Sequence, residues 1–144
     1  MMLKFRAWLK KEQKMDNYID HISWLEDELY CIGDGITYMV SAEDLVLMQS
    51  TGLVDKNGKE IFEGDILEIQ GIKMIVKFGS YKYLETSKNN GHILGVLHDG
   101  LGFYVECINA ADPDNISPFE PETLKNSQII GNVFENREFL EDKE

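Results

Sequence analysis

The sequence has few of the residues that mark metal centres and secreted, disulfide-stabilised domains. Its 144 residues contain two cysteines, Cys31 and Cys107, which stand far apart with no CxxC or Cys–His spacing, and three histidines. A zinc centre needs several converging ligands, and a disulfide framework needs paired cysteines. We therefore interpret both cysteines as reduced thiols, although a disulfide between them stays open. No metal ion or other cofactor is predicted.

Long apolar runs and nucleotide-binding motifs are also missing. No segment approaches the ~20 apolar residues that cross a bilayer, and the basic residues near the start are not followed by the apolar stretch of a secretory signal. We expect a cytoplasmic protein that does not contact a membrane. The patterns G-x-x-x-x-G-K-[ST], G-x-G-x-x-G and G-x-S-x-G do not occur, which disfavours an enzyme.

Basic residues are scarce, because 14 Lys and Arg stand against 26 Asp and Glu and give a net charge of −12. The segment 1–15 has a net charge of +4, whereas 16–47 holds eight acids and no Lys or Arg. Proteins that bind nucleic acids usually present a basic patch, so nucleic-acid binding is disfavoured. An acidic surface is instead compatible with a DNA mimic, an anti-host factor that occupies a basic groove on a host protein.

What the sequence does contain is a succession of short β patterns. Residues 3–9 alternate between apolar and mostly polar residues, and similar runs recur between glycine-containing breaks. This arrangement predicts a mainly β protein, a small barrel or sandwich. We divide it into an N-terminal β appendage (1–47) and a barrel (48–144). Asn136 is predicted to cap a short C-terminal helix over Arg137–Asp142.

Breaks in the middle of the chain are predicted from turn residues. Asn57-Gly58 suits the tight primed turn of a hairpin, and Gly71 is predicted to join two strands. We further predict turns at Gly79-Ser80 and at His98-Asp99-Gly100, and a polar loop over residues 86–91, TSKNNG. Residues 110–122 hold all three prolines and are predicted to be irregular.

One long segment is distinctive: residues 48–66 read MQSTGLVDKNGKEIFEGDI. Together with KFRAW at 4–8 and IGNVFEN at 130–136, it resembles the YopX family, small proteins carried mostly by phages and prophages. Ser50, Phe62 and Arg137 depart from residues that are frequent in the family, which affects details of packing. The resemblance implies a mostly β structure with an SH3-like barrel, in a bacterial host. It implies no established activity, so no catalytic residue is transferred.

Two carboxylates in the recognised segment form one candidate site. Glu63 and Asp65 would share a strand face, and these two carboxylates could act as acid and base or hold a divalent cation. His98 is an optional third member of this acidic cluster. The same Glu63-Gly64-Asp65 run is also typical of a turn, in which Asp65 bonds nearby backbone N–H groups. We favour the structural interpretation of this acidic cluster.

Two tyrosines form the second candidate site. Tyr81 and Tyr83 are two residues apart and would share one face of a strand. If they are exposed, they offer a contact platform for a peptide or protein partner. The alternative is that they pack beneath the loop at 86–91.

The function predicted from these observations is a non-enzymatic protein-interaction module. Its partner would be another protein or a second copy of the chain, which the N-terminal β appendage could contact. One alternative is the DNA mimic or anti-host factor described above. The other is a carboxylate-based hydrolase or metal-dependent enzyme that uses Glu63 and Asp65, with His98 as an optional third group.

Overall fold

The computed structural model describes residues 4–17, 19–25, 28–33, 39–89, 91–108, 116–118 and 121–140. The described chain is mainly β, which confirms the predicted class. Its strands are β1 (Phe5–Leu9), β2 (Lys14–Asp16), β3 (Ile19–Leu25), β4 (Glu28–Gly33), β5 (Met39–Ser41), β6 (Leu45–Val54), β7 (Glu60–Phe62), β8 (Asp65–Ile69), β9 (Ile72–Asn89), β10 (His92–Cys107), β11 (Ile116–Pro118) and β12 (Gln128–Asn132). Helical structure in the described residues is limited to α1 (Pro121–Leu124) and the 3-10 turns Ala42–Asp44 and Arg137–Phe139.

The strands form three antiparallel sheets. The first has the order β2-β1-β6-β7, the second β11-β10-β9-β8-β12, and the third β3-β4-β5. The second sheet curls into a half-barrel. Because β6 runs through position 47 and pairs with β1, the first sheet joins residues from both sides of the predicted boundary. The division into 1–47 and 48–144 stays a prediction.

The main core lies on one face of the half-barrel. Leu67 pairs with Met74, and Val76 pairs with Val105, so these side chains point to the same side of the sheet. They are buried together with Ile61 of β7, Leu124 of α1 and the partly buried Leu53, Ile69, Phe103 and Ile129. Burying one such aliphatic side chain contributes about 1.5–3 kcal/mol, so this layer fixes the curled sheet against its neighbours.

The largest departure from the sequence prediction is the hairpin of β9 and β10. These strands pair without interruption from Met74–Cys107 to Asn89–His92. The predicted turns at Gly79-Ser80 and His98-Asp99-Gly100 are therefore wrong, and residues 86–89 of the predicted loop continue β9. Gly79 and Gly102 lie directly opposite each other with φ of 150° and 143°, a conformation that glycine adopts at low cost while the ladder continues.

The turn predicted at Asn57-Gly58 also has a different form. Gly58 has a φ of 80°, but Asn57 is not among the described residues with positive φ. The primed two-residue turn requires positive φ at both positions, so that prediction is wrong. Such a pair occurs instead at Gln70 (φ 51°) and Gly71 (φ 81°), which join β8 to β9.

The C-terminal helix is shorter than predicted. It is one 3-10 turn over Arg137–Phe139, and the side chain of Asn136 makes no cap hydrogen bond to it. The Oδ1 of Asn136 instead accepts a hydrogen bond from the backbone N–H of Asn132 at 3.1 Å. The end of the predicted helix, residues 141–142, lies outside the described residues. Part of the segment predicted to be irregular forms β11 and the start of α1.

Candidate functional site

The first candidate region is a buried junction between β1 and the turn that joins β7 to β8. Asp65 opens β8, and its Oδ1 lies 2.8 Å from Nη2 of Arg6 on β1. Its Oδ2 accepts a hydrogen bond from the backbone N–H of Phe62 at 2.8 Å. Only 8% of the Arg6 side chain and 3% of the Asp65 side chain are exposed. Both oxygens of Asp65 are therefore engaged in holding the turn against β1.

Arg6 makes further contacts across the same turn. Its Nη2 donates a hydrogen bond to the carbonyl oxygen of Glu63 at 3.1 Å, and its guanidinium lies 4.9 Å from the centre of the Phe62 ring. A planar guanidinium can bond a carboxylate and stack on an aromatic ring at once, and it stays charged when buried. Sequence reasoning did not select Arg6, although KFRAW, which contains it, was one of the three recognised segments.

The two carboxylates of this region differ in their environment. Burial raises the pKa of Asp65, and the Arg6 charge and the Phe62 amide act in the opposite direction. Burial also raises the pKa of Glu63, whereas the hydrogen bond from the Gln49 amide and the charge of Arg6 lower it by a smaller amount. Glu63 is half-buried and lies in an apolar crevice of about 420 Å³, a surrounding that disfavours its charged form.

His98 does not join these carboxylates. It pairs with Tyr83 on β9, seven residues beyond Val76, and the Val76 carbonyl oxygen accepts a hydrogen bond from Gly64 at 2.8 Å. At about 3.3 Å per residue, the strand separates His98 from the Glu63–Asp65 turn by roughly 20 Å. No group of three or more His, Cys, Asp or Glu in the described part of the chain is placed to hold a metal ion.

The three recognised segments meet around this junction. Trp8 of the first segment stacks on Phe134 of the third, with ring centroids 5.3 Å apart and planes at 14°. Asn132 of the third segment folds its own turn, since its Oδ1 accepts hydrogen bonds from the N–H groups of Phe134 (3.0 Å) and Glu135 (2.9 Å). The shared feature of the segments is therefore a packing unit that positions β1, β8 and β12.

The second candidate region is the arm, which we define as residues 78–103 of the β9–β10 hairpin. One face of the arm carries Tyr81, Tyr83 and His98, and Tyr104 continues this face directly below the arm. We call the surface formed by these four residues the aromatic face. Ring centroids are 6.0 Å apart for Tyr81–Tyr83, and 4.9 Å apart for both Tyr81–Tyr104 and Tyr83–His98. All four residues are half-buried. The predicted pair of tyrosines thus belongs to a row of four rings.

Gly100 allows this row to form. It lies opposite Tyr81 in the ladder, and a Cβ atom at this position would overlap the Tyr81 ring. The ring therefore lies across bare backbone. The alternative cover, a loop over residues 86–91, does not form because residues 86–89 extend the strand. The two tyrosines are covered instead by neighbouring rings and by the Gly100 backbone.

The other face of the arm, which we call the leucine face, is an extension of the main core. Val76 and Val105 are buried on this side, whereas the next residues outward are exposed: Phe78 at 48%, Leu101 at 78% and Leu97 at 62%. Phe78 packs edge-on against Phe103 at a centroid distance of 4.9 Å. The row of apolar side chains that begins in the main core thus continues along the arm, beyond the residues that bury it in the core.

No helix within the described ranges combines the length and apolar character that a membrane crossing requires.

The sequence matches the family described as YopX protein over residues 4–141. The fold is similar to the crystal structure of protein EF1440 from Enterococcus faecalis, with a TM-score of 0.50 and 24% identity over 97% of this chain and 99% of that one. At that identity the likeness concerns the fold alone. Among curated proteins, none matches the sequence.

Proposed function

The chain belongs to the YopX protein family, and we propose that it is a non-enzymatic interaction module that binds another protein through the aromatic face of its arm. We place this role in the cytoplasm of a bacterium that carries the phage or prophage. The observation that carries the proposal is the row of four half-buried rings formed by Tyr81, Tyr83, His98 and Tyr104. Tyrosine combines a large apolar area with a polar tip and is enriched at protein interfaces.

The position of the row supports this role. β8 pairs with β9 only over Ile72–Ile75, and β11 pairs with β10 only over Tyr104–Glu106. Between these limits and the hairpin end, no third strand of the described chain joins the arm. Tyr81, Tyr83 and His98 therefore stand on a stretch of sheet where no third strand of the described chain covers the edges, the setting in which strand edges and aromatic anchors recognise proteins.

The carboxylates of the junction support a structural role. Asp65 uses both oxygens on Arg6 and on Phe62, and His98 lies roughly 20 Å away along the strand. The enzyme alternative from the sequence needed Glu63 and Asp65, with His98 as an optional third group, to converge in a cleft. The engaged oxygens of Asp65 and the remote position of His98 favour the structural interpretation over that alternative.

A second candidate function, mimicry of DNA by an acidic surface, is favoured by the net charge of −12. The two functions differ in the forces that hold the partner. Binding at the aromatic face is mainly apolar and resists salt, whereas binding of a basic groove to scattered carboxylates is screened by salt.

The test is affinity capture from a bacterial lysate at low and high salt. Wild type is compared with Tyr81→Ala/Tyr83→Ala and with Val54→Ala, a control at an exposed apolar residue on β6. We expect a specific protein to be retained at high salt by wild type and by Val54→Ala, and lost by the tyrosine variant. Equal capture by the tyrosine variant, or recovery of no specific protein, would overturn the proposal. Recovery only of a basic protein that high salt releases would replace it with mimicry.

A further inference from the structure

The arm lacks the layers that normally stabilise a hairpin. Beyond Gly79 and Gly102, β9 and β10 pair with each other, and no other strand in the described ranges pairs with them. An isolated two-stranded hairpin is marginal in water and needs a third strand or a packed face. The length of this ladder therefore indicates that something outside the described chain covers it.

The leucine face is the side of the arm that most needs a cover. Leu101 is 78% exposed, Leu97 62% and Phe78 48%, and all three share the side of the ladder on which Val76 and Val105 are buried. Phe78 and Leu101 are neighbours on this face, and Leu97 lies beyond the exposed Lys82–Asp99 pair. Exposed apolar residues that share one face mark an interaction surface, whereas scattered exposed residues are ordinary.

The charge distribution favours a second copy of the chain as the occupant. The arm holds two lysines and two acids, Lys82 and Lys88 against Glu85 and Asp99, so its net charge is zero and the −12 of the chain lies entirely outside it. Lys82 and Asp99 lie 3.9 Å apart on the leucine face. Two acidic copies repel each other through most of their surfaces, but the neutral arm allows close contact without a like-charge penalty.

We propose that two copies of the chain associate by packing the leucine faces of their arms against each other. The contact is isologous, with the same patch on both copies. Leu97 and Leu101 lie at its centre, and each arm supplies the second layer that the other lacks. The contact leaves the tyrosine row on the outer side of each arm, so this inference does not depend on the proposed partner of the aromatic face.

The first test is the mass in solution, measured by light scattering on a sizing column and by sedimentation over a concentration series. We expect wild type at twice the 16.5 kDa of one chain. Leu97→Glu/Leu101→Glu places two charges on each leucine face and should weaken association by at least about tenfold. Val54→Glu, at an exposed β6 residue, should associate as wild type does. Salt should strengthen association, because it screens the repulsion between the acidic bodies.

The second test does not rely on the behaviour of a destabilised variant. Leu101→Cys should form a covalent dimer under mild oxidation, whereas Val54→Cys and wild type, which carry the same native cysteines, should not. Wild type that is monomeric at every concentration would overturn the inference. Equal cross-linking of Leu101→Cys and Val54→Cys, or equal weakening by Val54→Glu and the leucine variant, would overturn it as well. Loss of dimers with unchanged lysate capture would leave the proposed function intact.

Discussion

The buried junction and the arm differ in where their side chains find partners. At the junction, Asp65 bonds Arg6 and the Phe62 amide, and the side chains of Arg6 and Asp65 are both more than nine-tenths buried. On the arm, Leu97 and Leu101 stand in solvent. The polar groups of the junction bond one another within the fold and thereby fix the position of the β7–β8 turn against β1. The apolar side chains of the arm have no covering layer within the described chain and are available for binding. The difference supports the structural interpretation of the charged cluster in the recognised segment.

The two regions are joined by the same strands. Val76 of β9 is fully buried and Phe78, two residues further on the same face, is 48% exposed. The backbone ladder is continuous there, but the second layer of side chains ends. Stability in such a molecule is uneven, because local opening costs little where few apolar contacts are lost. We therefore expect substitutions at the junction to affect global unfolding and substitutions on the arm to affect local opening.

The largest effect is expected from Asp65→Ala. The substitution leaves the Arg6 guanidinium buried without its counter-charge, and breaking a buried ion pair in this way costs about 3–5 kcal/mol. The free energy of unfolding, measured by urea denaturation, should fall by that amount. Lys4→Ala is the matched control, because the Lys4–Glu60 pair is 3.5 Å long and 57% of the Lys4 side chain is exposed. It should cost less than about 1 kcal/mol.

A double substitution separates loss of the pair from loss of packing. Arg6→Met/Asp65→Leu replaces both charges with apolar groups of similar length and should recover most of the stability lost in Asp65→Ala. A double variant as unstable as the single one would mean that the bonds to Phe62 and Glu63 hold the junction, and not the ion pair. An Asp65→Ala variant with an unchanged free energy of unfolding would contradict the proposal that the junction, unlike the arm, stabilises the whole fold.

A smaller effect, with a pH dependence, is expected at Asp55. Burial would raise the pKa of this carboxyl, but hydrogen bonds from the N–H groups of Ile129, Lys59 and Asn57 together lower it from the usual 3.8. A lowered pKa in the folded state contributes stability above the unfolded pKa, and this is lost as the pH falls through the folded value. Asp55→Ala should therefore cost about 2–3 kcal/mol at pH 7, and less in acid.

Urea unfolding at neutral pH and below pH 3.8 checks this difference. Asp55→Asn keeps one acceptor oxygen and should lose less than Asp55→Ala at neutral pH. A cost that is the same at both pH values would show that the carboxylate charge does not stabilise the loop.

The sequence predicts the β class and several strands because alternation and glycine breaks are local signals. It places Gly71 in a turn and Asp65 against turn backbone for the same reason. It does not predict that Arg6 reaches Asp65, because that contact joins residues 59 positions apart. It also predicts turns at Gly79 and Gly100. These glycines lie instead within a long ladder, where cross-strand pairing and the ring over Gly100 decide the conformation.

The smallest effect on global stability, and the sharpest on the arm, is expected from Gly100→Ala. The added Cβ overlaps the Tyr81 ring, so the ring must leave its place between Tyr83 and Tyr104. Global unfolding should change by no more than about 0.5 kcal/mol, as for substitutions outside a core. Amide exchange in the arm should accelerate by about tenfold, which corresponds to a local loss of about 1.4 kcal/mol.

Gly95→Ala, at an exposed position on the same strand, is the control and should leave exchange in the arm nearly unchanged. Capture of a partner by the aromatic face should weaken in Gly100→Ala and not in Gly95→Ala. If Gly100→Ala instead lowered global stability as much as Asp65→Ala does, the rings of the arm would belong to the same cooperative unit as the junction. The row of rings would then contribute to folding. Loss of partner capture in Gly100→Ala could in that case result from unfolding, and it would no longer support binding at the aromatic face.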